Sequence, residues 1–244
     1  MDPILFHAHQ SLHSSDVPFW IDLAARTGGP ILELGCGTGR ILLRLAKDGH
    51  AVTGLDNDPL MLQYLRDSVP IQFSQLVQVI EADMRSFQME EQFPLVFVPC
   101  NTYSTFSAQD RLKILRCSLT HLTPGGSFAF SIPNPALLAG QEPFGEPELE
   151  DTFPHPISGQ PVEVVSSWIM ADKRITFTFQ YEHRLTGGEI IRNEHSTTHY
   201  LDSPQTYLSE LRSAGLRPTN AFGDFDFSKA EKDSLYIIML AERV

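Results

Sequence analysis

Apolar and polar positions follow two rhythms along the first half of the chain, short apolar runs separated by stretches of helical period. Pro30–Leu34 (PILEL) reads as a buried strand ending in a glycine-rich turn. Arg40–Lys47 (RILLRLAK) is amphipathic at helical period and stops at Gly49. Ala51–Leu55 is a second strand, and Asp58-Pro59 opens a second helix with proline in its first turn. Val77–Ala82 and Leu95–Val98 supply two more strands. Asp110–Leu122 reads as a third helix, with an apolar stripe of Leu112, Ile114, Leu115, Leu119 and Leu122. A Pro124-Gly125-Gly126 turn leads into a fifth strand, Ser127–Ile132. Strands separated by helices of this length pair in parallel through right-handed crossovers, which predicts a doubly wound α/β sheet.

The rhythm then breaks. Gly140–Gln160 holds Pro143, Pro147, Pro154 and Pro156 among five acidic residues and is expected to be a mobile loop or lid. Three runs rich in β-branched and aromatic residues follow: Val162–Met170, Arg174–Arg184 and Ile190–Tyr200. Thr186-Gly187-Gly188 joins the last two as a hairpin turn, so the insertion is expected to be antiparallel and three-stranded. A helix over about 205–214 stops at Gly215, and runs around Arg217–Phe222 and Leu235–Ala241 read as a closing strand pair. The expected division is residues 1–139 with 201–244 as one domain. Residues 140–200 are an inserted β subdomain serving as lid, substrate wall or, through its exposed edge strand, dimer interface.

Composition narrows the class. The chain has 244 residues, of which 42% are hydrophobic and 20% charged, so it can bury a substantial core and disorder is not the default. Eighteen Lys and Arg against thirty Asp and Glu give a net charge of −12, without the basic footprint of a duplex-binding protein. No nucleic-acid partner is expected. No apolar run reaches the roughly 20 residues that span a bilayer, and the N-terminal residues lack a basic segment followed by an apolar one. Neither a membrane partner nor a signal peptide is expected. Three widely spaced cysteines, Cys36, Cys100 and Cys117, suit a reducing cytoplasmic setting. His7, His9 and His13 cluster near the N-terminus, but no carboxylate or cysteine joins them in sequence, and no CxxC or HExxH pattern occurs; no metal is expected.

The most informative segment is Glu33-Leu34-Gly35-Cys36-Gly37-Thr38-Gly39, between the first strand and the first helix. Glycines there permit a sharp turn and close approach of a ligand to the backbone. The crevice at the strands' carboxyl ends is the expected ligand site of an open α/β sheet. Asp56 ends the second strand, where a carboxylate can accept from both hydroxyls of an adenosine ribose. A nicotinamide dinucleotide fingerprint would be G-x-G-x-x-G/A; here the glycines fall as G-x-G-x-G and Arg40 takes the sixth position. Glu33, beside the turn, disfavours a diphosphate and suits a cationic ligand.

The segment ILELGCGTGRILLRLAKDGHAVTGLDNDPLML resembles the cofactor-binding half of class I S-adenosylmethionine-dependent methyltransferases. ELGCGTG matches that family's first motif, Asp56 its ribose-binding acid, and Asp83 in EADMRSF the acid facing the adenine amino group, with Met84 packed on the adenine. Pro99–Tyr103 (PCNTY) sits where the fourth motif ends, next to the transferring methyl, and the C-terminal segment resembles the family's last two strands. The resemblance implies a seven-stranded Rossmann-like sheet with the β insertion after strand 5. It implies S-adenosylmethionine bound by Glu33, Gly35, Cys36, Gly37, Gly39, Arg40, Asp56, Asn57, Asp83, Met84 and Pro99. Arg40 is a candidate to meet the cofactor's carboxylate. Asn101, Tyr103, His183 and His199 are candidates to hold the acceptor, and Tyr103 and His199 candidate catalytic groups; strand alternation puts Tyr181 with His183, and His195 with His199, on common faces. Phe6 or an N-terminal histidine is a candidate cofactor contact.

Methyl transfer from a sulfonium is an in-line displacement that rests on alignment and exclusion of water. The expected function is methylation of a small molecule, nitrogen favoured over oxygen, by a monomer or homodimer. The rivals are a macromolecular (protein or RNA) methyltransferase, a nicotinamide-dependent oxidoreductase, and a cofactor-binding protein of the same fold without turnover.

Overall fold

Strand β1 (Ile31–Leu34) is buried at every position, as a central parallel strand covered by helices on both faces must be. A computed structural model describes all of residues 1–244. Around β1 lie β2 (Val52–Asp56), β3 (Val77–Glu81), β4 (Phe93–Val98) and β5 (Leu122–Pro133), all parallel to it. The last two strands, β10 (Leu216–Phe222) and β11 (Tyr236–Arg243), complete a seven-stranded sheet in the order β10-β11-β5-β4-β1-β2-β3. β11 is antiparallel to both its neighbours. This is the expected sheet.

Period-2 alternation sorts the strand residues between two cores. Leu32, Leu34, Val96, Val98, Phe128 and Phe130 face one side, where they pack on α5 (Ala108–His121) and α7 (Pro204–Ser213). Ile31, Leu95, Phe97 and Ala129 face the other, against α2 (Val17–Thr27), α3 (Leu42–Lys47) and α4 (Pro59–Ser68). The N-terminal helices α1 (Pro3–Leu12) and α2 escaped the sequence reading. Asp2 caps α1 by accepting from the Ile4 and Leu5 amides, and proline holds its first position. The short α6 (Pro135–Leu138) follows β5.

The insertion corrects an expectation. It has four strands: β6 (Phe144–Pro154), β7 (Pro161–Ala171), β8 (Arg174–Arg184) and β9 (Ile190–Tyr200), antiparallel in that order. Residues 144–154, expected as loop, form an edge strand. Its prolines and acids break the usual strand pattern, yet Pro147 falls at a register shift between Gly145 and Glu148, where an edge strand tolerates a missing amide donor. Gly145 lies under the Trp168 ring, in space a Cβ would fill. α1 packs its Leu5 on Phe153, Val162, Val164 and Tyr181, so the N-terminal helix is attached to the inserted sheet by a small core of its own. No helix is long and apolar enough to cross a membrane.

Between α5 and α7, the fully buried Arg111 donates through Nε and Nη2 to Glu210 (2.9 and 2.7 Å) and through Nη2 to Asp202 (2.6 Å). Its guanidinium carbon lies 4.5 Å from the centre of the Tyr207 ring. Removing one partner of such a group strands the other in the core. Arg111→Ala is expected to lower unfolding stability by about 3–5 kcal/mol in denaturant titration.

Candidate active site

The carboxyl ends of β1, β2 and β4 open into a cavity of about 1170 Å³. One wall is a face of the inserted sheet. Phe177, Phe179 and Tyr181 of β8, His195, Thr197 and His199 of β9, and Ser166 and Trp168 of β7 alternate toward it. α1 contributes Phe6 and His9.

The glycine-rich turn forms the floor. Gly35 has φ +75°, and a Cβ there would lie 3.2 Å from Met84 Cε and 3.3 Å from Thr102 Cγ2. Its amide and that of Cys36 both donate to the Leu55 carbonyl (2.7 and 3.1 Å). At Gly39, φ is +82° and a Cβ would overlap Leu65, where the turn packs on α4. Asp56 accepts from the Gly37 amide (2.8 Å) with one oxygen and from the Asp58 amide (3.0 Å) with the other. Each oxygen keeps further acceptor capacity, and Asp56 and Asn57 both line the cavity.

Glu33 is 2% exposed, and its Oε2 has no hydrogen-bond partner. Burial pushes its carboxyl well above the usual range, against the pull of the nearby Arg40. A buried acceptor without a donor, on the lining of a cavity, suits a cationic ligand group. Cys36 is buried and also lines the cavity; burial raises its thiol.

Three neighbours behave differently from expectation. Arg40 lines the cavity, but its guanidinium is held by Asp16 in a two-pronged pair (2.6 and 2.7 Å) and also reaches Cys100 Sγ (2.9 Å). It is committed to the protein rather than free for a ligand carboxylate. Asp83 is gripped by Arg85, whose Nε and Nη2 donate to it and hold its carboxyl below the ordinary value. Met84 lies beside it, 8% exposed and against Gly35. Pro99 does not line the cavity; the two residues after it do, Cys100 and Asn101, both left-handed with φ 57° and 58°. Consecutive positive φ values at non-glycine residues are strained and concentrate at functional turns.

Tyr103 is the clearest correction. The 3-10 turn Thr102–Thr105 rotates it under the sheet, where it is 1% exposed among Phe128, Phe130 and Tyr207, its hydroxyl donating to the Arg111 carbonyl (3.4 Å). It does not line the cavity. His183 is also displaced: it stacks on His155, ring centres 4.1 Å apart, and pairs with Ser158 Oγ, away from the cavity. Asn101 and His199 do reach the cavity. Ser104 gives its one hydroxyl hydrogen to the Asn101 carbonyl (2.7 Å), so in its 2.8 Å contact with His199 it accepts from Nδ1–H. His199 Nε2 is then a bare acceptor. Burial lowers the His199 pKa to about 4, so the ring is neutral at physiological pH.

Missed by sequence were Trp168, Phe177, Phe179 and Thr197 on the roof, and Asp16 and Arg85, which occupy the charges of Arg40 and Asp83. Alternation along the three runs held the signal for the roof. Nothing local links Asp16 to Arg40, 24 residues away.

Residues 31–126 match the family model of the methyltransferase domain. The chain is 31% identical over 115 residues to a putative methyltransferase, YqeM, of Bacillus subtilis. It spans about half the length of the curated relatives it matches, 46% of each chain for this one. A crystal structure of an S-adenosylmethionine-dependent methyltransferase from Clostridium acetobutylicum superposes with a TM-score of 0.80 at 17% identity, covering 94% of this chain and 91% of that one. CalS10, an amino pentose methyltransferase from Micromonospora echinaspora, superposes with a TM-score of 0.69 at 18% identity, covering 97% and 91%. Residues 31–126 therefore match a methyltransferase domain, and the chain as a whole shares its fold with S-adenosylmethionine-dependent methyltransferases.

Two expectations follow from the titrating groups. Glu33 has a raised folded pKa, so its best stability lies below its ordinary 4.5 and is lost as pH rises through the folded value. Glu33→Gln should raise Tm at neutral pH in thermal melts. His199 is depressed from 6.5 to about 4, so the stability tied to its neutral form is present above 6.5 and lost as pH falls toward 4. Denaturant titrations across that window should lose on the order of 3 kcal/mol. His199→Gln should flatten that part of the profile.

Proposed function

We propose that this protein transfers the methyl group of S-adenosylmethionine to an amine nitrogen of a small molecule bound against the inserted sheet. The observation that carries this reading is the charge of the cavity. Five carboxyl groups line it; Asp83 is paired with Arg85 as the one lining guanidinium, Arg40, is with Asp16, which leaves Asp56, Asp58 and Glu150 without an ion pair and Glu33 buried with an unpartnered oxygen. Such a site attracts a cationic cofactor and a basic acceptor, and repels carboxylate or phosphate acceptors. CalS10, named an amino pentose methyltransferase, shares the fold over nearly the whole chain and supports a small-molecule acceptor that carries an amine.

The residues fit the cofactor. The unpaired Glu33 suits its cationic amino acid part, and Asp56, already oriented by two backbone amides, suits the ribose hydroxyls. Gly35 and Gly37 let it approach the backbone, Gly39 seats the turn on α4, and Asn57, Asp83 and Met84 suit the adenosine side. When bound, the cofactor supplies a methyl made electrophilic by the sulfonium. The protein's part is to hold the acceptor and keep water out. Phe6, Trp168, Phe177 and Phe179 supply apolar and aromatic surface, which also favours a cationic amine through ring faces. Asn101 and the bare Nε2 of His199 hold the amine N–H groups, so the nitrogen lone pair stays free. With a pKa of about 4, His199 acts as a hydrogen-bond acceptor and not as a proton store.

The test is transfer from methyl-labelled S-adenosylmethionine to panels of amino sugars and small amines, hydroxyl compounds, carboxylates, protein and RNA. Label in amines is the expected result; label confined to carboxylates, hydroxyls or macromolecules overturns the reading. Glu33→Gln should weaken cofactor binding about tenfold or more, the scale of one lost charge-assisted bond. His199→Phe should lower kcat/KM for the amine by about 10–100-fold with cofactor Kd unchanged.

A further inference from the structure

At the edge of the cavity, α1 and β6 bring together four groups that sequence keeps far apart. His9 on α1 and His13 just past its end lie four residues apart, and their Nε2 atoms are 3.1 and 2.7 Å from the same oxygen of Asp151 on β6. (His13 itself caps the helix.) Glu150 joins them, and one ligand atom from each of the four lies within 4.8 Å of all the others. The two carboxylates are adjacent in the chain, and Glu150 has no hydrogen-bonded or ionic partner of its own.

From this geometry we propose that His9, His13, Glu150 and Asp151 form a binding site for a divalent transition metal of the zinc class. Imidazole and carboxylate are the ligands such an ion takes. In a tetrahedral zinc site with bonds of about 2.0–2.1 Å, neighbouring ligand atoms stand roughly 3.3 Å apart, close to the separations already present around Asp151. The ion takes the place of the two Nε2 protons that now point at that oxygen, and each neutral ring keeps its one hydrogen by carrying it on Nδ1 instead. The outer support also exists: Tyr181 lies 2.9 Å from His9 Nδ1, and the buried ring is fixed against Phe153 and Phe179. A metal-bound Nε2 leaves a hydrogen on Nδ1, which then donates to the Tyr181 oxygen, the arrangement that orients metal-ligating histidines.

The consequence is mechanical. α1 carries Phe6 to the cavity and His7 to the glycine-rich turn, where His7 Nδ1 lies 2.9 Å from Thr38 Oγ1. An ion joining α1 to β6 ties that helix to the inserted sheet, across the cavity edge. The site shares His9, His13 and Glu150 with the cavity lining but takes no step in methyl transfer.

The experiment is titration of chelator-treated full-length protein with Zn²⁺ by calorimetry and with Co²⁺ by visible absorption, together with thermal melts. The expected result is one ion per chain, a Co²⁺ ligand-field spectrum of low symmetry, and a raised Tm. His13→Ala, at an exposed side chain that leaves the fold intact, and Asp151→Asn should each weaken binding at least 100-fold. Tyr181→Phe should weaken it about tenfold. His155→Ala, at the other histidine pair, should leave it unchanged. No binding at sub-millimolar metal, or binding retained in the His13→Ala/Asp151→Asn double variant, overturns the proposal.

Discussion

The hydrogen bond from the Gly37 amide to Asp56 joins two neighbouring parallel strands at the place where both end. The β1 turn is held from the other side by Leu55, whose carbonyl accepts from Gly35 and Cys36. A parallel sheet leaves such carbonyl and amide groups at its carboxyl edge, and each must find a partner or face a ligand. Here the turn meets that demand by wrapping around the end of β2, and only residues without a Cβ allow it to lie so close to Met84 and Thr102. The direction of α3, the placement of Asp56 and the opening of the cavity all follow from it.

Around that turn the charges are arranged by pairing. Asp16 occupies Arg40, Arg85 occupies Asp83, and Glu33 is left buried with one oxygen unpartnered. The pairing matters because an unpaired guanidinium in the lining would favour anionic ligands, whereas the observed arrangement leaves the negative charge in excess. The unpartnered Glu33 costs stability at neutral pH, the usual relation between a functional group and the fold that carries it.

The doubly wound sheet was legible because its strands are buried on both faces and read as continuous apolar runs, with helices between them long enough to force parallel pairing. ELGCGTG and Asp56 were legible because their chemistry is local: a turn needs its glycines within a few residues, and the next strand ends at a fixed spacing. Residues 144–154 were not, since an exposed edge strand with little burial carries no apolar alternation, and Pro147 is tolerated only because a bulge receives it. Tyr103 was misplaced for a related reason. Its position in the chain is correct for an acceptor site, but a 3-10 turn sets the side-chain direction, and that turn follows two left-handed residues that no propensity anticipates.

Hydrophobic period and turn chemistry act over short separations, so the five parallel strands, the helices between them and the glycine-rich turn could be read from the chain, and the family resemblance extended them to a seven-stranded sheet. The tertiary structure alone decided which side chains share the cavity. His199 meets Ser104 across 95 residues, Asp151 meets His9 across 142, and Arg111 meets Glu210 across 99. Contacts of that range depend on how the inserted sheet and α1 pack over the strand ends, and packing is a property of complementary surfaces that no single segment contains.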